Sequence, residues 1–233
     1  MALDGFDLDV IRGEFLSLIG PSGCGKSTVL RLLAGLDRPS AGHVEWAGPQ
    51  PEVGFVFQDA TLMPWASAAD NVYLPLRLRG VTRRDAAPRV EEALARVGLS
   101  RFSGHRPAEL SGGMRMRVSI ARALVVRPDL LLMDEPFAAL DEITRLRLND
   151  DLAGLAAELG TTVVFVTHSV TESVYLSDRV VVMTPRPGRV VETLAVAGPA
   201  SRTEEFRFTS SYAETCGLAS SALRQAMQDQ DSL

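Results

Sequence analysis

The chain has 233 residues, of which 46% are hydrophobic and 23% are charged, a composition that suits one large globular domain with an ordinary core. Its formal net charge of −5 argues against nucleic acid or anionic lipid as a partner. Two distant cysteines, Cys24 and Cys216, exclude a disulfide framework. The start MALDGFDLDV is unlike a secretory signal, and no apolar run reaches the about 18 residues of a membrane-spanning helix. We therefore expect a cytoplasmic protein.

Short apolar runs and helical periodicity alternate along the chain. Runs bounded by turn residues predict strands at 15–20, 43–48, 52–58, 129–134 and 161–168, and a Pro-Arg-Pro-Gly tip predicts a hairpin at 179–193. Helical spacing is found at 26–36, at 70–80 with a proline break, at 82–98, 111–127 and 139–160, and weakly at 218–229. Apolar strands that alternate with helices predict a parallel α/β core. We expect one domain over residues 1–198 with a helical insertion at about 60–126, and a polar tail at 199–233.

A glycine-rich loop lies between the first predicted strand and helix. The segment GPSGCGKST fits the pattern G-x-x-x-x-G-K-[ST] in the strand–loop–helix context that makes the match specific. Its backbone N–H groups and the following helix N-terminus would bind phosphates. Lys26, the only lysine of the chain, would contact the β- and γ-phosphates, and the Ser27 hydroxyl would ligate Mg²⁺. The predicted nucleotide-binding residues are Gly20, Pro21, Ser22, Gly23, Cys24, Gly25, Lys26, Ser27 and Thr28.

Two acids end the apolar run LLLMDE. We expect Asp134 to hold Mg²⁺ through water and Glu135 to polarise an attacking water. Two solvated carboxylates at a strand end are the alternative interpretation. The phosphate loop elsewhere in the same sequence favours the functional one.

Five separated segments resemble one protein family. GPSGCGKST, LSGGM, LLLMDEP, ALD and THS occur in the order and spacing of an ATP-binding cassette, the nucleotide-binding subunit of ABC transporters, over about residues 3–195. FVFQDATLMPW, LSGGMRMRVSIARAL and DEPFAALDEITR are most similar to the nitrate/sulfonate/taurine branch of bacterial importers. The resemblance implies a P-loop NTPase fold with a RecA-like core, a small antiparallel β subdomain and a helical subdomain.

The resemblance also implies a composite site. Two cassettes pack head to tail in this family, and each ATP lies between the phosphate loop of one chain and Ser111, Gly112 and Gly113 of the other. The chemistry agrees, because Ser111 can cap a helix and donate to the γ-phosphate, and glycines allow a close backbone approach. Arg115 and Arg117 would add positive charge nearby.

Further residues take roles by resemblance. Gln58 would contact Mg²⁺ and the attacking water, His168 would bond the γ-phosphate and support Glu135, and Asp141 would cross the dimer interface. An apolar cluster around Gln58, mostly core, would in part form a groove for a short helix of a membrane permease. Its members are Phe55, Phe57, Leu62, Met63, Pro64 and Trp65.

The sequence departs from the family at a few points. Cassettes usually begin with a strand whose aromatic residue stacks on adenine, whereas here 25 residues precede Lys26 and Phe6 is a poor substitute. Either the start was assigned too late or adenine stacking is lacking. Met114 and Ala138 replace a common glutamine and serine, and both fit the nitrate/sulfonate branch.

These observations predict the ATPase subunit of a bacterial ABC importer. It would bind ATP and Mg²⁺ as a homodimer, peripheral on the inner face of the cell membrane, with permease subunits and, indirectly, a periplasmic substrate-binding protein. The cargo would be a small oxyanion such as nitrate, a sulfonate or taurine; a pyrimidine vitamin precursor is an alternative. The single cassette and the absence of a heptad run argue against a soluble, non-transport ABC ATPase. The presence of Glu135 and His168 argues against a nucleotide-binding module that does not hydrolyse ATP.

Overall fold

The computed structural model of the protein describes residues 1–199 and 202–231. Its six strands are β1 (Phe15–Ile19), β2 (Val53–Val56), β3 (Leu130–Asp134), β4 (Thr162–Val166), β5 (Arg179–Met183) and β6 (Val190–Ala195). Its α-helices are α1 (Lys26–Leu33), α2 (Ala68–Leu78), α3 (Arg83–Arg96), α4 (Gly112–Leu124), α5 (Glu142–Leu159), α6 (Val170–Leu176) and α7 (Ser210–Asp231). No helix in these two stretches is long and apolar enough to cross a membrane.

The strands form one sheet in the order β2-β3-β4-β1-β5-β6. All neighbouring pairs are parallel except β5 and β6, which form the predicted antiparallel hairpin. In the register Val56 lies opposite Met133, and Leu18 lies opposite Val166. The loops that follow β1, β2, β3 and β4 therefore leave the sheet at one edge, where ligands of open α/β sheets bind.

Helices cover the sheet on both faces. Leu16 and Leu18 of β1 pack with α1 residues and with parts of the segment 3–10. Phe15 and Ile19, which alternate with them, pack in a larger cluster that contains residues of α2 to α7. Because both faces are buried, the parallel strands are mostly apolar, with polar residues chiefly at their ends, as expected from their sequences.

Three α-helices lie between β2 and β3 in the described chain, and each begins at a side-chain cap. Ser67, Thr82 and Ser111 accept hydrogen bonds from backbone N–H groups in the first turns of α2, α3 and α4. Pro75 lies inside α2 without breaking it. The buried residues Val72 and Leu76 on either side hold this helix against the core, which outweighs the lost backbone hydrogen bond.

Two predicted elements differ in the structure. Residues 43–48 form no strand, although Trp46 still packs against the core. The weak helix expected at 218–229 belongs to the longer α7, which packs on α6, β5 and β6. Among its described residues the buried ones are the small Thr215, Ala219, Ala222 and Ala226, and their low hydrophobicity explains why the sequence signal was weak.

Candidate functional site

The loop 20–25 connects the buried strand β1 to α1 and forms the centre of the candidate site. Gly25 is the N-cap of α1, with a φ of 113° that side-chain-bearing residues rarely adopt. A Cβ on Gly20 would lie 2.9 Å from Cys24 Sγ and 3.1 Å from Met183 Cβ. Both glycines are therefore required by the fold of the loop itself, and the loop presents backbone N–H groups at the start of a helix.

Lys26 is 5% exposed and its ammonium lies inside the loop. Nζ donates to the carbonyls of Gly20 at 2.8 Å and Pro21 at 3.0 Å. The same nitrogen is 4.0 Å from Glu135 Oε1, which comes from the end of β3. The two sequence motifs, far apart along the chain, thus meet at one point.

Ser27 and Asp134 form a second contact between the motifs. Ser27 Oγ donates to Asp134 Oδ1 at 3.0 Å. Burial raises the pKa of Asp134, and the hydrogen bond from Ser27 opposes that rise. A hydroxyl and a carboxylate side by side are hard oxygen donors of the kind that Mg²⁺ prefers.

Glu135 and His168 face each other across the ends of β3 and β4. Glu135 has a φ of 45°, a left-handed conformation that costs free energy in a residue other than glycine. Its backbone N–H donates to Val166 O at 2.9 Å, and its Oε2 is 3.3 Å from His168 Nδ1. The strained backbone directs the carboxylate toward both Lys26 and His168.

A buried acid that the sequence did not single out supports the His168 loop. Thr167 Oγ1 donates to Glu172 Oε2 at 2.5 Å and accepts from the Ser169 N–H at 3.0 Å. Glu172 Oε1 is buried and receives no hydrogen bond from the described residues. Burial raises the pKa of Glu172, while its bond to Thr167 and the Asn149 amide act in the opposite direction.

Gln58 lies just beyond β2, at the same sheet edge, and is exposed. The segment that follows is anchored by a residue that the sequence did not reveal. Arg122 of α4 donates to Ala60 O at 2.9 Å, to Thr61 O at 2.8 Å and to Thr61 Oγ1 at 3.0 Å. Thr61 itself has a φ of 45°.

Ser111 lies at a different place from these groups. It is exposed at the N-terminus of α4, where its hydroxyl accepts from the Met114 N–H at 3.2 Å. Among the described residues, its hydroxyl bonds to its own helix start and not to the phosphate loop of its own chain. Gly113 is buried, and a Cβ there would lie 2.7 Å from Thr144 Cγ2 of α5. The packing of α4 on α5 therefore requires a glycine at position 113, whether or not this residue also approaches a phosphate.

The two arginines expected to add positive charge near Ser111 bond to groups of their own chain. Arg117 is paired with Asp151 at 2.5 Å and also donates to Val97 O. Arg115 donates to Leu110 O at 2.7 Å beside the helix start.

Asp141 caps α5 by accepting from the Thr144 N–H at 3.0 Å, and this bond lowers its pKa.

An open groove of about 310 Å³ lies between β2, α2 and α4. Part of the apolar cluster predicted around Gln58 lines it: Phe55 and Phe57 stack with their ring centroids 4.3 Å apart. Leu62 is half-buried in the core, and Trp65 is 74% exposed outside the groove. The lining residues are Val53, Gly54, Phe55, Phe57, Thr61, Leu74, Pro75, Leu78, Arg79, Arg122, Ala123 and Val126.

Sequence comparison matches this site to a family. A profile described as ABC transporter matches residues 3–138. The chain is 48% identical over 200 residues to the uncharacterized ABC transporter ATP-binding protein MJ0412 of Methanocaldococcus jannaschii, covering 84% of this chain and 75% of that protein. It is 47% identical over 198 residues to the taurine import ATP-binding protein TauB of Chromobacterium violaceum, covering 83% and 76%.

A solved structure agrees with the sequence comparisons. The dimeric post-hydrolysis state of the ATP-binding cassette MJ0796 bound to ADP and Pi has a TM-score of 0.72 and 34% identity, covering 85% of this chain and 92% of that one. The fold class implied by the sequence resemblance is thereby confirmed. The chain belongs to the ABC transporter family and is an ATP-binding, ATP-hydrolysing cassette of the nitrate/sulfonate/taurine importer type.

Proposed function

We propose that this cassette drives the import of a small oxyanion such as nitrate, a sulfonate or taurine through a membrane permease. The observation that carries the proposal is the convergence of a phosphate loop, a Ser–Asp pair and a Glu–His pair at one edge of the sheet. The taurine importer relative supports the cargo class. The permease would hold the cassette at the inner face of the membrane, and a periplasmic binding protein would deliver the cargo.

The catalytic roles follow from the contacts. Loop residues 20–28 would bind the phosphates, and Lys26 would exchange its bonds to the Gly20 and Pro21 carbonyls for bonds to the β- and γ-phosphates. Glu135 would accept a hydrogen bond from the attacking water. His168, 3.3 Å from that carboxylate, would bond the γ-phosphate and keep Glu135 in place.

The residues at the phosphate loop fit Mg²⁺. Ser27 and Asp134 already place a hydroxyl and a carboxylate oxygen 3.0 Å apart, and Gln58 follows the neighbouring strand β2. Ser27 would ligate the ion directly and Asp134 through water, with Gln58 as a third oxygen donor. When bound, the ion neutralises negative charge on the β- and γ-phosphates.

The active form in this proposal is a homodimer. Ser111 is exposed at a helix N-terminus, which favours an anion, yet in the described part of the chain its hydroxyl bonds to Met114 N–H and not to the phosphate loop. A second copy packed head to tail would bring Ser111, Gly112 and Gly113 over the γ-phosphate. The dimeric cassette MJ0796 supports this arrangement.

The groove beside β2 is the proposed permease contact. Phe57 is 41% exposed and Leu78 is 79% exposed, so the groove offers apolar surface to a short amphipathic helix. Gln58 directly follows Phe57, which links this surface to the nucleotide site. Copurification of the chain with a permease, lost when Leu78 is changed to Asp, would support this contact, and unchanged copurification would contradict it.

Hydrolysis is tested with Glu135→Gln. We expect this variant to bind ATP normally, to lose turnover, and to accumulate as a dimer in ATP and Mg²⁺, because water activation fails while the sandwich closes. Size-exclusion chromatography with light scattering distinguishes this dimer from the 25.1 kDa chain. Glu91→Gln, which changes an exposed acid of α3, is the matched control and should behave as wild type. A strictly monomeric Glu135→Gln in ATP would contradict the composite site.

A further inference from the structure

The hydrogen bonds of Arg122 join the helix that begins at Ser111 to the segment that follows Gln58. One guanidinium reaches Ala60 O, Thr61 O and Thr61 Oγ1, at 2.8–3.0 Å, and also Ser119 Oγ at 3.3 Å. The side chain is half-buried: its bonds to Ala60 O and Ser119 Oγ are partly buried, and its two bonds to Thr61 are exposed. Two nitrogens of the guanidinium share these four acceptors, a geometry that the single nitrogen of a lysine ammonium does not reproduce.

The backbone that Arg122 holds is strained. Thr61 is β-branched and has a φ of 45°, a conformation that such residues rarely adopt. A conformation of this kind persists only where its surroundings impose it. The carbonyls of Ala60 and Thr61 both point to the guanidinium, so Arg122 supplies that constraint within the described structure.

We propose that Arg122 is a positioning residue that fixes residues 60–61 and so sets the place of Gln58 at the nucleotide site. Thr61 and Arg122 also line the groove beside β2. An occupant of that groove would therefore press on the bonds that hold residues 60–61, two and three positions after Gln58. This inference rests on the proposed function, because it takes Gln58 as a ligand of Mg²⁺ and a contact of the attacking water.

The test compares Arg122→Lys with Arg89→Lys in the purified cassette. Arg89 is a matched control, since it is a half-buried arginine that donates to the backbone carbonyl of Val125 at 2.6 Å, away from the site. Lysine cannot reproduce the fork, so Arg122→Lys should lower kcat about tenfold or more and raise the Mg²⁺ concentration for half-maximal rate. The Kd for ATP should change by less than about twofold. Arg89→Lys should leave all three quantities unchanged.

A second pair of variants covers a failure of Arg122→Lys to fold. Thr61→Gly keeps both carbonyls and tolerates the left-handed backbone, and it should keep at least about half of the wild-type kcat. Thr61→Val loses the hydroxyl and keeps the branched Cβ, and it should be at least about threefold slower than Thr61→Gly, with a higher Mg²⁺ requirement. Equal rates and equal Mg²⁺ requirements in these two variants would overturn the inference.

Two outcomes for a folded Arg122→Lys would also overturn it: wild-type kinetics, or a lower kcat with an unchanged Mg²⁺ requirement, which would indicate a general structural role. A failure of the proposed function would give a different experimental result from a failure of the positioning role. A wild-type chain whose ATP turnover needs no Mg²⁺ would count against the proposed site. A wild type with Mg²⁺-dependent turnover beside an indistinguishable Arg122→Lys would count against the positioning role alone.

Discussion

Substitution of Gly113 tests whether α4, the helix that begins at Ser111, packs closely against α5 because residue 113 has no side chain. A Cβ at this position would lie 2.7 Å from Thr144 Cγ2 and 3.8 Å from Leu148 Cδ1. Carbon atoms in a packed core are about 3.5–4.0 Å apart. Gly113→Ala must therefore separate α4 from α5 by roughly 1 Å or force Thr144 out of its place.

The expected loss of stability follows from two opposing effects. Overpacking of a tight contact costs about 1–3 kcal/mol, and the better helix propensity of alanine returns at most about 1 kcal/mol. We expect a net loss of about 1–2 kcal/mol, which in a chain of 233 residues lowers Tm by roughly 2–8 °C. Gly154→Ala in α5 is the matched control, because nothing lies within 4 Å of its Cβ position. It should stabilise the protein by up to about 1 kcal/mol.

Urea denaturation followed by circular dichroism measures the free energy of unfolding of Gly113→Ala and Gly154→Ala. The same method serves for a double-mutant cycle that combines Gly113→Ala with Thr144→Ser. Serine removes Cγ2 and keeps the hydroxyl beside Asp141, so most of the cost of Gly113→Ala should disappear in that background. A Gly113→Ala variant as stable as wild type would refute the packing argument. An equal loss of stability from Gly113→Ala in the Thr144→Ser background would refute it as well.

Further changes probe the site and its supports. Lys26→Ala should abolish phosphate release from ATP; unchanged turnover would remove Lys26 from the mechanism. Ser27→Ala should raise the Mg²⁺ needed for half-maximal rate, because it removes the oxygen bonded to Asp134; an unaltered requirement would contradict the proposed ligand. Burial raises the pKa of Glu172, so its ionisation destabilises the folded state progressively above about pH 4.3, by about 1.4 kcal/mol for each unit of pKa shift. Glu172→Gln should therefore gain more stability over wild type at about pH 8 than at about pH 4 in urea denaturation, and a pH-independent difference would contradict this assignment.

The parts of the site that were predictable are those encoded by short segments. The segment 20–28 and the acids at the end of β3 each combine an apolar strand with the residues beside it, so strand, turn and chemistry lie within about ten residues. Parallel strands then bring the two segments to one edge without further information, as the contact between Ser27 and Asp134 shows. The family resemblance supplied the assignments of Gln58 and His168.

The supports of the site were not predictable, because they depend on how helices dock. Arg122 and Thr61 are 61 residues apart, and nothing local marks either as a partner of the other. Glu172 reads as an ordinary first-turn acid of α6 until its burial is known. The residues 43–48 show the converse: their pattern suits a strand, but strand formation depends on a neighbouring partner that the sequence pattern does not reveal.

The most direct test of a site shared by two chains is a mixing experiment. Lys26→Ala spoils the phosphate loop, and Ser111→Asp retains a good helix cap while its carboxylate repels the γ-phosphate. Each variant alone should be inactive. Dimers formed between them contain one site with both defects and one with none, so an equal mixture should regain up to about a quarter of wild-type ATPase activity. A mixture no more active than its two components, or a Ser111→Asp variant that is fully active alone, would contradict this account.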